Sequence, residues 1–247
     1  MSMKFQVFAA AAVLFCLASA QAFADYNQAL ELFKQGKYQE SLKAAADALD
    51  VTKDADPAAP NYQIRFLAAH NHRKLGNLAN AAIHLQKCAE IKPASVDPLI
   101  DLSFLMIDSG KYKESFTFAQ KVVAMDSKNA MGYYLLGLSM YKQGAFWGAK
   151  EYLEKAISFD PEMYMAWNTQ GLVLMALKKY ADANTAFSAA LAMNPDTAEL
   201  VNNLAVSYAK MGNVAEAQKA ADKAASLAPA NEQIKKNRDV IAAMKKS

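Results

Sequence analysis

Glycine and cysteine are scarce in this chain, which has nine glycines and two cysteines among its 247 residues. The β-branched residues are also sparse, whereas alanine is abundant, and this composition favours helix over strand. Hydrophobic residues make up 53% of the chain and charged residues 21%. Such a chain can bury a core and does not have the composition of a disordered polymer. We therefore expect an all-α fold.

A concentration of charge of one sign is also lacking. The net charge is only +3, and the basic residues are scattered, so no electrostatic footprint for nucleic acid is present. There are two short basic clusters, Lys235-Lys236 and Lys245-Lys246, and we interpret them as solvated helix faces. The sequence predicts no nucleic-acid partner.

The two cysteines, Cys16 and Cys88, do not suggest a disulfide. Cys16 lies in an N-terminal targeting segment, and its removal leaves Cys88 alone. Cys88 falls at a position where helices pack, so we interpret it as a small buried hydrophobe and not as a catalytic thiol.

The usual signatures of catalysis are missing. The sequence has no G-x-S-x-G, no H-E-x-x-H and no phosphate-binding glycine loop. His70 and His72 are two residues apart on a predicted helix, so they point to different faces and cannot chelate one ion together. Asp97, Asp101 and Asp108 are interpreted as a solvated rim. We expect no enzyme, no cofactor, no metal and no small-molecule substrate.

The N-terminus has the pattern of a secretory signal peptide. A short basic start, Met1–Lys4, precedes the apolar run Phe5–Ala20 and the A-x-A site Ala22-Phe23-Ala24. We predict a signal over 1–24, cut after Ala24, and a periplasmic or secreted protein. An uncleaved membrane anchor is an alternative, although the run is short for a span. A lipoprotein site at Cys16 is disfavoured by the bulky Phe15.

Despite their scarcity, the glycines recur at a regular spacing, and we call this pattern the glycine ruler. Five of them recur at 34-residue spacing, with one insertion of six residues and one missing member, whose place Lys178 takes. Four prolines share one register with the same period. Glycines and prolines that recur independently with the same period indicate an internal repeat. The glycines are Gly36, Gly76, Gly110, Gly144 and Gly212, and the prolines are Pro93, Pro161, Pro195 and Pro229.

The repeat resembles the tetratricopeptide repeat family. In the clearest copy, 164–197, the matching residues are Trp167, Gly171, Ala183, Phe187, Ala190 and Pro195. Gln170 and Leu174 depart from the family pattern, which has Leu and Tyr there. The resemblance implies a right-handed superhelical solenoid of antiparallel helix pairs, with six repeats over 25–231 and a capping helix over 232–247. The repeats run over about 22–55, 62–95, 96–129, 130–163, 164–197 and 198–231.

The side chains in register explain why such a repeat can pack. We number the positions of each repeat from its first residue, so that Tyr164 is position 1 of the repeat 164–197. Positions 8 and 20 of all six repeats carry Gly, Ala or Ser, which lets two antiparallel helices approach closely. Position 30 is always large and apolar, and we expect it to fill the space between layers. Its residues are Val51, Ile91, Met125, Phe159, Met193 and Leu227.

The segment 132–144 is apolar on two helical faces. Leu136 and Gly137 belong to the packing face, whereas Tyr134, Leu138 and Tyr141 form a second stripe. The family resemblance implies that such stripes line a concave groove, and an exposed apolar strip of this kind marks a binding surface. We expect a protein or peptide partner in the cell envelope, with asparagine side chains bonding an extended backbone. The predicted groove comprises Phe66, Ile100, Phe104, Met131, Tyr134, Leu138, Tyr141, Met165, Asn168, Leu172, Met175 and Asn202.

Several alternatives stay open at this stage. The stripe residues can instead pack on one another or under a terminal helix folded into the groove. Trp147 is either a partner anchor or a residue packed on the turn of the next repeat. For function, the first hypothesis is a non-enzymatic scaffold or adaptor. The alternatives are a self-assembling structural protein, which makes a homo-oligomer possible, and a membrane-tethered factor for pilus or outer-membrane biogenesis.

Overall fold

A computed structural model describes residues 21–51 and 61–244 of the chain. All regular secondary structure in these ranges is α-helical, which confirms the all-α prediction. The helices are α1 (21–34), α2 (Tyr38–Val51), α3 (Asn61–Lys74), α4 (Leu78–Ile91), α5 (Asp97–Asp108), α6 (Tyr112–Met125), α7 (Ala130–Lys142), α8 (Phe146–Phe159), α9 (Tyr164–Ala176), α10 (Tyr180–Met193), α11 (Ala198–Lys210), α12 (Val214–Leu227) and α13 (Glu232–Met244).

The helices form antiparallel pairs in which the first helix of a repeat packs on the second, as in α7 with α8 and α9 with α10. The first helices α7, α9, α11 and α13 start 34 residues apart, and each has 13 residues. The terminal helix therefore stands in register as the first helix of a further repeat. This arrangement confirms the fold of helix pairs followed by a C-terminal capping helix.

The turn inside each repeat explains the glycine ruler. The five glycines of the ruler adopt φ between 73° and 80°, where an L side chain is strained. Lys178 takes the sixth such turn with φ 60°, the one positive value among the described non-glycine residues. Its backbone N–H donates to Met175 O at 3.0 Å, so the helix C-terminus is capped as in the other repeats.

Small residues lie where two helices of a pair come closest. A Cβ on Gly137 would lie 2.7 Å from Leu153 Cγ, and one on Gly171 would collide with the ring of Phe187. Phe187 itself is fully buried. The register of small residues therefore follows from the contact that it permits, as the sequence predicted.

The expectation for position 30 is wrong. Its described side chains are not enclosed between layers, because they are between 37% and 44% exposed. They occupy the last turn of each second helix, where the chain leaves for the next repeat and only one side of the residue is covered. The exposed residues are Ile91, Met125, Phe159, Met193 and Leu227.

Buried polar side chains link successive helices. In the N-terminal part, Ser41 Oγ donates to the carbonyl of Ala29 at 2.7 Å and accepts from Asn71 Nδ2 at 2.8 Å. Further along, Asn184 Nδ2 donates to Ser207 Oγ at 2.8 Å. Each bond satisfies polar atoms that would otherwise be buried without a partner.

The chain divides into two compact bodies, which we call the N-terminal body (Met1–Lys111) and the C-terminal body (Tyr112–Ser247). The first has a core around Ile64 and Leu67, and the second has one around Phe187 and Leu204. The predicted signal lies outside the described residues except for 21–24, which belong to α1. Within the described ranges, no helix has the length and apolarity needed to cross a membrane.

Candidate functional site: the exposed face of the first helices

In the C-terminal body the first helices lie side by side, α7 against α9, α9 against α11 and α11 against α13. Each has a face that does not pack on its second helix. Six apolar side chains on that face of α7 and α9 are half-buried, and we call them the inner strip. Two of them, Leu172 and Met175, also pack at the edge of the core around Phe187 and Leu204. The inner strip consists of Met131, Leu138, Tyr141, Met165, Leu172 and Met175.

Tyr134, which the sequence placed in the same stripe, is buried and only 6% exposed. Burial raises the pKa of its hydroxyl, and a side-chain hydrogen bond with Thr169 opposes that rise. The expected accessibility of Tyr134 is therefore not what the structure has. Its side chain joins α7 to α9 beneath the inner strip.

Further along the C-terminal body, two pairs of asparagine side chains connect neighbouring first helices in the same way. Asn203 Nδ2 donates to Asn168 Oδ1 at 3.0 Å, and Asn237 Nδ2 donates to Asn202 Oδ1 at 3.0 Å. In each case, as for Tyr134 and Thr169, position 5 of one repeat meets position 6 of the next. We call these three contacts the polar stitch.

The polar stitch corrects the sequence interpretation of the asparagines. The side-chain oxygens of Asn168 and Asn202 accept hydrogen bonds within the chain, so they do not stand ready for a partner's backbone. Asn202 is 9% exposed, whereas Asn168 is half-buried. The surface left to a partner in this body is therefore mainly apolar.

The terminal helix does not cover the inner strip. Ile234 and Ile241 of α13 pack into the cores that α11 and α12 form. Val240 of α13 is 57% exposed and lines a small cavity of about 130 Å³ together with Val206 and Ala209 of α11. The apolar face thus continues onto α13, and this helix does not fold back over it.

The corresponding face of the N-terminal body has a different chemistry. Its predicted groove residues, Phe66, Ile100 and Phe104, are half-buried. Two polar contacts cross between α3 and α5 beside them: Arg73 forms an ion pair with Asp108 at 2.7 Å, and His70 Nε2 lies 3.2 Å from an oxygen of Asp101. Arg73 also sits 5.8 Å from the centroid of the Phe104 ring. Asp97 and Asp108 are exposed, in agreement with the solvated rim that the sequence predicted, whereas Asp101 is half-buried. The contacts of Asp101 and Asp108 with α3 could not be read from sequence spacing alone.

His72 and His84 stack in the N-terminal body with ring centroids 5.4 Å apart. Their buried Nδ1 atoms have no hydrogen-bond partner among the described residues. Burial, reinforced by His72 and Arg65, lowers the pKa of His84 to about 4, and burial also lowers the pKa of His72. The described residues contain no cluster of three or more potential metal ligands.

Cys88 is fully buried and its thiol donates to the carbonyl of Tyr62 at 3.5 Å. Burial raises the pKa of the thiol to about 12. The thiol therefore stays protonated at neutral pH and is a poor nucleophile. Its placement as a small buried residue is confirmed.

Trp147, at the start of α8, contacts the turn of the next repeat and is also largely exposed, so it has features of both alternatives, the packed residue and the partner anchor. Lys179, in the turn before α10, places its Nζ 5.2 Å from the centroid of the indole. The side chain is nevertheless 63% exposed, so most of its surface is available to another molecule.

Comparison with protein families gives matches along most of the repeat region. One family model described as Tetratricopeptide repeat matches residues 26–96 and 168–232, which is more than half of the chain. A second model with the same description matches 132–163. A search of curated proteins finds no match.

Several solved structures have the same fold. The chain is similar to the APC/C hetero-tetramer Cut9–Hcn1 with a TM-score of 0.76 and 14% identity, covering 92% of this chain but only 45% of that one. It is similar to PilW, described as a widely conserved type IV pilus biogenesis factor, with a TM-score of 0.73 and 20% identity, covering 87% and 97%. It is similar to PilF of Pseudomonas aeruginosa with a TM-score of 0.63 and 23% identity, covering 74% of this chain and 88% of PilF. At these identities the similarity shows the fold alone.

Proposed function

Because the chain belongs to the tetratricopeptide repeat family, whose members are in general non-enzymatic interaction scaffolds, we propose that it is an adaptor of the cell envelope that holds a partner protein on the inner strip. The observation that carries this proposal is the row of six half-buried Met, Leu and Tyr side chains on α7 and α9. An apolar strip of this kind on a folded surface marks a place where another molecule binds.

The chemistry of the strip indicates what the partner offers. Methionine has a flexible and polarisable side chain, so Met131, Met165 and Met175 can adapt to an irregular apolar surface. Since the polar stitch uses the nearby amide oxygens, main-chain hydrogen bonding from an extended peptide finds few acceptors there. The partner is therefore an amphipathic segment that inserts apolar side chains, and the recognition resembles a helix in a groove.

Two observations support the envelope. Residues 1–24 have the pattern of a secretory signal peptide, and the fold is similar to that of PilW and PilF. The mass of the protein recovered after expression of the full chain tests the first point. A chain that begins at Asp25 agrees with export and cleavage, whereas a chain that still begins at Met1 contradicts them.

The partner-binding role is tested with matched methionine substitutions. Met165→Ser with Met175→Ser removes apolar surface from the inner strip, and Met125→Ser with Met193→Ser makes the same change at exposed second-helix ends. Each variant is used as bait in an envelope extract, and helix content is checked by circular dichroism. We expect the first pair to lose captured partners and the second to retain them. Equal capture by both pairs would refute the proposal.

A second candidate is self-assembly, which the terminal helix favours. Helix α13 stands in register as the first helix of a further repeat, and its Val240 and Met244 are 57% and 38% exposed. End-to-end stacking would cover them. Sizing of the purified chain over a concentration series separates the candidates, since stacking predicts growth with concentration that Val240→Lys abolishes. An adaptor keeps a constant size.

A further inference from the structure

We infer that the C-terminal body has a second binding site, on the other side of α9, and that it takes an extended peptide segment carrying a basic residue. This site goes beyond the adaptor function proposed above, because it does not use the inner strip. Trp167, Gln170 and Leu174 lie on a face of α9 nearly opposite that of Met165, Leu172 and Met175, as 100° of rotation per residue requires. They form the floor of an open groove of about 370 Å³, which we call the outer groove.

Helices α8 and α10 form the walls of the outer groove. Lys150 and Glu154 of α8 pair at 2.5 Å along one wall. Lys179, in the turn before α10, and Asp182 of α10 line the other wall. In the floor, the indole Nε1 of Trp167 donates to the carbonyl of Pro161 at 2.9 Å, which holds that ring in place.

Gln170 is the first observation that points to a ligand. Its side chain is only 8% exposed and lines the groove, and its Oε1 has no hydrogen-bond partner among the described residues. A buried acceptor without a donor costs folding free energy. The equivalent residues in four other repeats are Ala68, Leu102, Leu136 and Leu204, which are apolar and buried. The first repeat has Gln28 there, which is exposed. Packing therefore does not require a glutamine here, whereas a ligand that donates an N–H does.

Trp147 is a second and independent observation. The equivalent positions of the third, fifth and sixth repeats carry Lys113, Ala181 and Ala215, so the register does not require a large aromatic residue. Its indole is 63% exposed, and it is held by Lys179, which lines the groove. Exposed tryptophans that are held in one orientation are typical anchors of binding sites. Two departures from the repeat thus lie beside one groove.

The charges of the outer groove select the class of ligand. Lys150 is neutralised by Glu154, and Lys179 is occupied by the face of Trp147. Asp182 makes no ion pair with any described residue, so it is the charge left for a ligand, and it favours a cation. A peptide supplies a main-chain N–H for Gln170 at every residue, and a lysine or arginine side chain can reach Asp182 and the free indole surface. An open groove between two helices also admits a chain more readily than it encloses a small molecule.

The test uses the full-length protein and random dodecapeptides displayed on phage as the probe. We expect selection to enrich a motif with a basic residue, and the synthetic peptide to change the tryptophan fluorescence on titration. Gln170→Leu and Trp147→Ala should each weaken binding by about tenfold or more, as hot-spot substitutions do. Phe159→Ala, another exposed aromatic residue of α8, should leave it unchanged. Methylation of one main-chain nitrogen of the peptide should have an effect as large as Gln170→Leu.

The stability of Gln170→Leu gives a separate readout. Because leucine is the residue of three equivalent positions, this variant should unfold at a higher temperature than the wild type while binding the peptide more weakly. Loss of binding with that gain in stability supports the site and excludes misfolding as the cause.

Three results would overturn the inference. These are selection without an enriched motif, equal binding by the wild type and Gln170→Leu, and binding of free argininamide as tight as that of the peptide, which would indicate a small-cation site. The variant Met165→Ser with Met175→Ser should bind the peptide normally, so failure of the outer groove is distinguishable from failure of the inner strip.

Discussion

The two bodies use the same repeat register but connect their first helices with different chemistry. In the N-terminal body, α3 and α5 are joined by a partly exposed ion pair of Arg73 with Asp108 and by the contact of His70 with Asp101. In the C-terminal body, the neutral hydrogen bonds of the polar stitch connect the first helices, and the surface above them is the apolar inner strip. The comparison teaches that one backbone repeat can connect its first helices through contacts that salt weakens in one body and through contacts that salt does not weaken in the other.

Two probes report the bodies separately. Both tryptophans, Trp147 and Trp167, lie in the C-terminal body, so fluorescence follows that body alone. Cys88 is buried in the N-terminal body and becomes reactive only when that body opens. Replacing Cys16 with serine makes Cys88 the one thiol of the full chain. Labelling with dithiodipyridine, which reacts in acid as well, then measures opening of the N-terminal body.

The largest expected effect is acid destabilisation of the N-terminal body. His72 and His84 have folded-state pKa values lowered from 6.5 by burial, to about 4 for His84. The neutral form is therefore favoured by folding, so the stability is fully present above pH 6.5 and is lost as the pH falls towards 4. Because the two rings are only partly buried, we expect a loss of about 1–2 kcal/mol.

The measurement compares Cys88 labelling with tryptophan fluorescence in urea between pH 7 and pH 4.5. Labelling should shift to lower urea in acid before the fluorescence does, and His84→Gln should reduce that shift. Equal shifts of both probes, or an unchanged shift in His84→Gln, would contradict the assignment to the histidine pair.

A smaller effect is expected from the polar stitch. Asn202→Ala and Asn237→Ala each remove one side of a hydrogen bond that is largely screened from water. A double-mutant cycle followed by tryptophan fluorescence in urea should give a coupling of about 1 kcal/mol. The coupling should not change with salt, because both groups are neutral. A coupling near zero would mean that the stitch does not stabilise the C-terminal body.

The smallest effect is expected from the exposed ion pair of the N-terminal body. Asp108→Asn removes the charge that Arg73 faces, and a pair of this exposure contributes about 0.5 kcal/mol or less. The difference, measured by Cys88 labelling in urea, should shrink further at high salt because of screening. An effect as large as that of the asparagine pair, or one that salt does not alter, would remove the contrast between the bodies.

Much of the fold could be read from particular residues. The close approach of Gly171 to Phe187 was predictable, because both residues match the family pattern and the position of Gly171 carries a small residue in every repeat. The turn at Lys178 was predictable too, since it occupies a glycine position of the ruler. The sequence also predicted a helix after the sixth repeat, although not that α13 keeps the repeat register to the residue.

The candidate site was less predictable. Tyr134, Leu138 and Tyr141 share one stripe in the sequence, yet only Tyr134 is buried, because it meets Thr169 of the neighbouring first helix. The groove at Gln170 had one signal in the sequence, a polar residue where the family has leucine. Trp147 was recognised as unusual, but nothing in the sequence showed that it contacts Lys179, which lines the same groove as Gln170.

By itself, the sequence determined the period of the repeat, the positions of the helices and the side chains that pack within each pair. These depend on local contacts, which recur every 34 residues and leave their pattern in the chain. Only the tertiary structure decided which residues of the second stripe are accessible and which are stitched to the next repeat. The rotation between neighbouring first helices decides that outcome, and it arises from the packing of whole repeats against one another.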